Sequence, residues 1–211
     1  LGSYVMALAS AVISRVRDLL NDTGSVKHWT DNEMLRWLSD AQRDIVSQIP
    51  TANTTIASFT PVASSSEQSL SGISNFHRLL KVMRNTHDTD NRVTLLSTED
   101  ELGIISTSWH TAAVNSKATA ERYVYDLVSP DVFYVYPNVN TTTRLELKYS
   151  TLPIEVSATG DTLELPDEFL PLMTDYMVYR AFAKDTDFGS TTNAKVYLDN
   201  YNAGIAARGA S

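Results

Sequence analysis

The chain of 211 residues has no cysteine, which excludes disulfides, thiolate metal sites and a cysteine nucleophile together. It also lacks basic clusters. Seventeen Lys and Arg stand against 25 Asp and Glu, a formal net charge of −8, whereas a protein that grips nucleic acid gains affinity by neutralising phosphates with grouped cations. DNA is therefore expected only in passing. The third absence is a long apolar run. The longest near the N-terminus, residues 5–13, is broken by Ser10 and followed by Arg15, Arg17 and Asp18, too short to span a bilayer. No basic stretch precedes it, so neither a membrane segment nor a signal peptide is expected, and residues 1–5 ahead of Met6 read as an expression remnant. Synthesis and residence in the cytoplasm follow. What is present is ordinary globular material, 43% hydrophobic and 20% charged. At this length it suffices for one substantial core, or for a helical layer with a β-rich insert.

The clearest element is residues 29–49. Thr30 and Glu33 have the spacing of a capping box, in which each side chain satisfies an orphan backbone N–H, and Trp29 and Met34 stand where a hydrophobic staple fixes the entry. Met34, Leu35, Leu38, Ala41, Ile45 and Ile49 then recur at steps of three and four, with Arg36, Asp40, Arg43 and Asp44 outside the stripe, until Pro50 stops the helix. Residues 6–21 read as a preceding helix, with Leu8, Val12, Val16, Leu19 and Leu20 on one face and an end at Asp22, Thr23 and Gly24. The short connection predicts an antiparallel helical hairpin. Pro166, Asp167 and Glu168 open a return to helix, a proline and two acids suiting a first turn. Pro171 delays or kinks it, and Phe169, Leu172, Met173, Tyr176, Arg180 and Ala183 share its face. After Phe188 and Gly189 a last helix, residues 192–207, carries Val196, Tyr197, Tyr201 and Ile205.

Between these ends the composition turns to Thr, Ser and Ala. Residues 79–84 and 92–96 read as strands around a polar turn, 87–91, and Ser97 precedes a short acidic helix near 98–105. Residues 121–127, 131–136 and 144–149 alternate and are separated by turn residues, which predicts an antiparallel meander. One face would carry Tyr123, Tyr125, Leu127, Val132, Tyr134, Tyr136, Leu145, Leu147 and Tyr149; the other, partly wet, Arg122, Asp126, Arg144, Glu146 and Lys148. The expected fold is α+β: a four-helix layer built from both chain ends, residues 1–50 and 160–211, with an antiparallel β-rich insert over 51–159.

Catalytic constellations are weak throughout. Residues 189–196 begin like a phosphate loop, but Ala194 replaces the second glycine and Val196 the hydroxyl, so a helix start explains them better. His87, Asp88, Asp90 and Asn91 offer metal ligands without the spacing, central glycine or terminal glutamate of a calcium loop, and fit a hairpin turn. His28, His77 and His110 are scattered, with no paired-histidine zinc motif. Asp161, Glu164, Asp167 and Glu168 supply the carboxylates that glycoside hydrolysis requires, yet acids before a helix need no enzyme. No nucleophile elbow or triad spacing occurs, and glycosylation triplets at Asn21, Asn53 and Asn140 arise from abundant Asn and Thr. No enzyme, cofactor or metal is expected. The tyrosines are the notable surface candidates. Core packing accounts for most of them, and a carbohydrate- or protein-binding module using the tyrosine-rich sheet is the alternative reading.

Several segments in order carry a resemblance: residues 29–45; Arg78 to Asn85, RLLKVMRN; Tyr123 to Asp126, YVYD; Pro130 to Pro137, PDVFYVYP; and Leu165, Pro166, Asp167 and Glu168, leading to Asp175, Tyr176, Tyr179, Arg180, Ala181, Lys184 and Asp185. Together they resemble the head-to-tail adaptor (connector) proteins of tailed bacteriophages, of the short-tailed phage type. That resemblance implies a non-enzymatic virion component, assembled in the host cytoplasm. It would sit below the portal as a ring of about twelve copies, surround the DNA exit channel and pass the connection to the next tail protein, a nozzle or tail tube. The subunit could be monomeric alone. Its partners would be the portal protein, that tail protein and other copies of itself, with the C-terminal tail or the loop 61–72 as a docking arm. Tyr123, Tyr125, Tyr134 and Tyr136 on the sheet and Tyr197, Tyr201, Ile205 and Arg208 on the last helix are the candidate interface residues.

Overall fold

A computed structural model of the chain describes residues 6–87, 89–111, 116–184 and 191–209. In chain order these form α1 (Ala9–Leu19), α2 (Asp31–Gln48), β1 (Thr54–Phe59), β2 (Glu67–Ser69), β3 (Phe76–Asn85), β4 (Leu95–Leu96), α3 (Glu99–Ile105), β5 (Arg122–Tyr125), β6 (Val132–Tyr136), β7 (Leu145–Thr151), α4 (Leu170–Lys184) and α5 (Thr191–Gly209). The fold is mixed, with five helices and two sheets among the described residues. It divides into a helical unit, Leu1–Asn53 with Leu152–Ser211, and an insert, Thr54–Thr151.

In the helical unit α4 packs against α1, α2 and α5. Val12 and Val16 of α1, Leu38 and Ile45 of α2, Met173 and Met177 of α4 and Tyr201 of α5 meet in one core. The capping box at Thr30 and Glu33 is present, and Trp29 and Met34 are both buried in that core. α2 buries more than its expected stripe, adding Trp37, Gln42 and Val46, because residues 153–164 run alongside it. Ser39 Oγ accepts the Val156 N–H at 2.9 Å, Gln42 Oε1 that of Glu164 at 3.3 Å, and Arg43 Nε donates to the Pro153 carbonyl at 3.2 Å. The same segment closes α1. The Ala9 and Ser10 N–H groups, orphans of a helix start, donate to the carbonyls of Asp161 and Thr159 at 2.9 and 2.8 Å.

A short 3-10 turn, Asp167–Phe169, precedes α4, and Pro171 lies in the first turn of the helix, where its missing N–H costs nothing. The buried side of α4 is Leu172, Met173, Met177, Val178 and Ala181, so the expected face shifts and Ala183 is exposed. Val196 is likewise exposed on α5, which buries Ala194, Tyr201 and Ile205 instead. Gly204 lets α5 approach α4, since a Cβ there would collide with the Leu172 Cδ2 methyl.

Glu33 also meets Lys184 of α4, and that bond, with the Thr30 backbone N–H, lowers its carboxyl pKa from 4.5 to about 2. A depressed acid stabilises the fold fully above its unfolded value and loses that effect as pH falls through the folded one. Glu33→Gln is therefore expected to leave stability at pH 7 within about 1 kcal/mol, the pair being a surface one. It should flatten the loss of stability between pH 4.5 and about 2, read from urea midpoints across that range.

The insert departs from a meander. β5 and β6 do form an antiparallel hairpin, but β7 leaves them and lies between β1 and β3 in the order β1-β7-β3, while the other sheet runs β2-β6-β5-β4. The reason is burial. Leu145, Leu147 and Tyr149 of β7 share a core with Tyr123, Phe133 and Val135 of the other sheet, and two sheets facing each other cover apolar faces that a single flat meander leaves wet. Phe133 and Val135 supply the inner face of β6, in place of the expected Tyr134 and Tyr136. Those two tyrosines pack on the outer side with Leu102, Trp109 and Val124, so this hairpin is covered on both faces.

The expected hairpin 79–84/92–96 is also modified. Residues 92–94 pair with β3, through Asn85 N to Arg92 O at 2.8 Å and Thr94 N to Met83 O at 3.4 Å, and then β4 crosses to run parallel to β5. Asn85, fully buried, latches the crossing. Its amide donates to the Ala120 carbonyl at 2.8 Å and accepts the Ala120 N–H at 2.9 Å, a side chain standing in for a ladder partner. Asn85→Ala orphans the Ala120 N–H and leaves its carbonyl only the long Thr94 hydroxyl contact at 3.5 Å, and a loss of about 2–4 kcal/mol is expected in denaturant melts. α3 starts one residue later than expected: Thr98 is its N-cap with Glu101 in a capping box, while the Ser97 hydroxyl donates to Glu101 at 2.6 Å.

Candidate functional site

The candidate interface residues fall into two groups. On the insert, Tyr123 is buried and Tyr125, Tyr134 and Tyr136 are half-buried. The Tyr125 hydroxyl donates to the Pro130 carbonyl and accepts the Leu79 N–H, both at 3.2 Å, and burial raises the pKa of Tyr123 and Tyr125. Tyr134 stands edge-on to Trp109 at 5.8 Å between centroids. On the helical unit, Tyr201 is 2% exposed and donates to Asp44, and Ile205 is buried beside it. Burial first, and the Asp44 hydrogen bond second, push the Tyr201 phenol well above its ordinary value, so it stays a neutral donor. Tyr197 stacks on Phe182 at 5.9 Å. Arg208 lies 5.8 Å from the Phe169 centroid and donates to the Glu168 carbonyl at 3.1 Å. Tyr125 and Tyr201 therefore spend both ring and hydroxyl inside one chain, and Tyr134 and Tyr197 their rings.

The chemical candidates resolve into local structure. Asp90 pairs with Arg92 at 3.3 Å, and Asn91, at φ 48°, donates from its amide to the Thr89 carbonyl, a turn held by its own side chains; Asp88 lies outside the described residues. Residues 185–190, including Phe188, Gly189 and the opening of the phosphate-loop candidate, also lie outside them. The remainder of that candidate is the first turn of α5, where Lys195 reaches Asp199 at 2.7 Å. Asp161 accepts the N–H groups of Ala158 and Ser157 at 2.9 and 2.8 Å, which hold its carboxyl below the usual value. Glu164 accepts from Asn53 at 3.2 Å. No group of three or more His, Asp or Glu suited to a metal occurs among the described residues.

Among the described residues of the helical unit, clefts include the following two. One, about 290 Å³, is lined by Gln42, Ile154, Glu155, Val156, Asp161, Thr162 and Glu164. The other, about 430 Å³, lies between α1 and α4 beside Arg15, Leu19 and Asp175, whose carboxyl is raised by burial. Neither converges nucleophile, base and oxyanion donors in the way that acyl or glycosyl transfer demands.

The geometry of these described residues assigns no chemistry, and the comparison with known families carries further. A family model described as SU10 adaptor protein matches residues 7–211. The chain belongs to that family. The match covers the helical unit and the insert alike and bears out the resemblance to the adaptors of short-tailed phages. No curated protein matches the adaptor. No helix among the adaptor's described residues is long and apolar enough to cross a membrane.

Proposed function

We propose that this adaptor is a structural, non-enzymatic virion protein that joins the portal ring to the next tail protein around the DNA exit channel. The single observation that carries the reading is the family match over residues 7–211. Its helices α1, α2, α4 and α5 act as a four-helix layer and rigid platform, and the insert supplies separate faces for other partners. About twelve copies form the ring, each contact repeating head to tail until the rotation closes. The net charge of −8 favours assembly on a template over assembly in free solution, because like-charged copies repel at long range. The same charge suits a wall past which DNA slides without being held.

The test is to mix portal and adaptor at low protein concentration and weigh the products. A monomeric adaptor that joins the portal ring at about twelve copies is the expected result. Persistent failure to co-assemble, with both termini of the adaptor intact, refutes it.

A further inference from the structure

β3 does not keep the two-residue alternation of a strand. Its pairing with β7 slips after Phe76, after Leu79 and after Val82, and each slip inserts an extra residue, which converts a period of two into a period of three. Leu79, Val82 and Asn85 all point into the insert's core. Lys81 and Arg84 are consequently exposed in one row next to Lys148 and Glu146 of β7, and the row continues to the half-buried Arg78 beside the buried Ser150. Glu146 is the acid of this face and takes Arg84 in a two-bond pair at 2.9 and 3.2 Å. Lys81 lies directly across from Lys148, an arrangement that costs stability because opposed like charges repel. Arg78, Lys81 and Lys148 form no ion pair among the described residues. In a chain with eight more acids than bases, such a row calls for anionic groups from outside.

The neighbouring strand indicates which kind. On the other side of Lys148, β1 presents Ile56, 54% exposed, on the same outward face, and its residues Thr54–Phe59 carry no charge. An apolar side chain set among cations matches a protein surface better than a phosphate backbone. The helical unit carries the inverse arrangement: the 290 Å³ cleft sets Ile154, 63% exposed, among Glu155, Asp161 and Glu164. Acidity is concentrated there too, with fifteen Asp and Glu against nine Lys and Arg, compared with ten against eight in residues 54–151. We infer that the basic row of one adaptor docks on the Ile154 cleft of a second copy, cation on carboxylate and isoleucine on isoleucine. This contact is heterologous and rests on the ring reading above.

Carbodiimide cross-linking of intact virions tests it, because that reagent joins only amines and carboxylates already in contact. Adaptor dimers are expected to carry Lys81 or Lys148 joined to Glu155 or Glu164. Lys81→Glu alone, which turns the opposed like pair with Lys148 into an attractive one and should not lower the melting temperature, leaves the Lys148 amine as reporter and is expected to cut its cross-link to Glu155 or Glu164 about tenfold; adding Glu155→Lys should restore the dimer. Cross-links from Lys81 and Lys148 to another virion protein, or none to Glu155 or Glu164 in virions that contain the adaptor, overturn the inference. So does an undiminished Lys148 cross-link in the Lys81→Glu variant, or an unchanged dimer accompanied by loss of duplex DNA binding. Virions without the adaptor contradict the proposed function instead.

Discussion

Arg17→Ala is expected to cost the helical unit about 3–5 kcal/mol. Arg17 is 7% exposed and joins Asp22, 6% exposed, while its guanidinium also donates to the Trp29 carbonyl at 3.0 Å and to Asp31 at 2.7 Å. One side chain thus ties the end of α1, the connecting loop and the first turn of α2. The arrangement is expensive to break because the attraction only offsets the desolvation of both groups. Without Arg17, Asp22 keeps the His28 N–H at 2.8 Å but loses its counter-charge. Replacing both by leucine should therefore cost clearly less than Arg17→Ala alone. Urea melts of the two variants decide it, and equal losses would show that the pair acts only as packing.

Phe133→Ala is the second large effect, about 3–5 kcal/mol. Phe133 is fully buried at the centre of the core that the two sheets share, with the Phe59 ring 5.6 Å from its own. Truncation leaves a cavity lined by Leu, Val and aromatic groups that cannot close without bending both sheets. Because the insert and the helical unit have separate cores, the loss should be local. Hydrogen exchange is expected to show faster exchange in β3, β5, β6 and β7, with protection of α2 and α4 unchanged. A uniform loss across the chain would mean that the two units unfold as one.

These effects were unequally legible in the sequence. The ends of the helices could be read because their determinants are local: Thr30 and Glu33 are three residues apart, and Pro166 and Pro50 act where they stand. On α4 the expected Leu172 and Met173 are buried, but Met177, Val178 and Ala181 join them and Ala183 does not, because helices press on several of its sides and widen burial beyond one stripe. The insert was harder. Nothing local distinguishes a third meander strand from one that joins the opposite sheet, and β7 is placed by what Leu145, Leu147 and Tyr149 bury against. The cation row on β3 was visible as R-L-L-K-V-M-R in a segment that reads as a strand, but strict alternation splits Arg78, Lys81 and Arg84 between two faces until bulges are allowed. The tyrosines drew attention through their number, whereas their partners, such as the Pro130 carbonyl for Tyr125 and Asp44 for Tyr201, are tertiary. The adaptor reading came from the order of whole segments, a signal that the family match over residues 7–211 shares.

The most direct measurement is a localised reconstruction of the virion at the tail-bearing vertex, with this chain fitted to the density. The account predicts a closed ring of the chain between portal and tail, its helical unit forming a continuous layer and the sheet faces meeting neighbouring copies. Density for the chain elsewhere in the particle, or none between portal and tail, would contradict it.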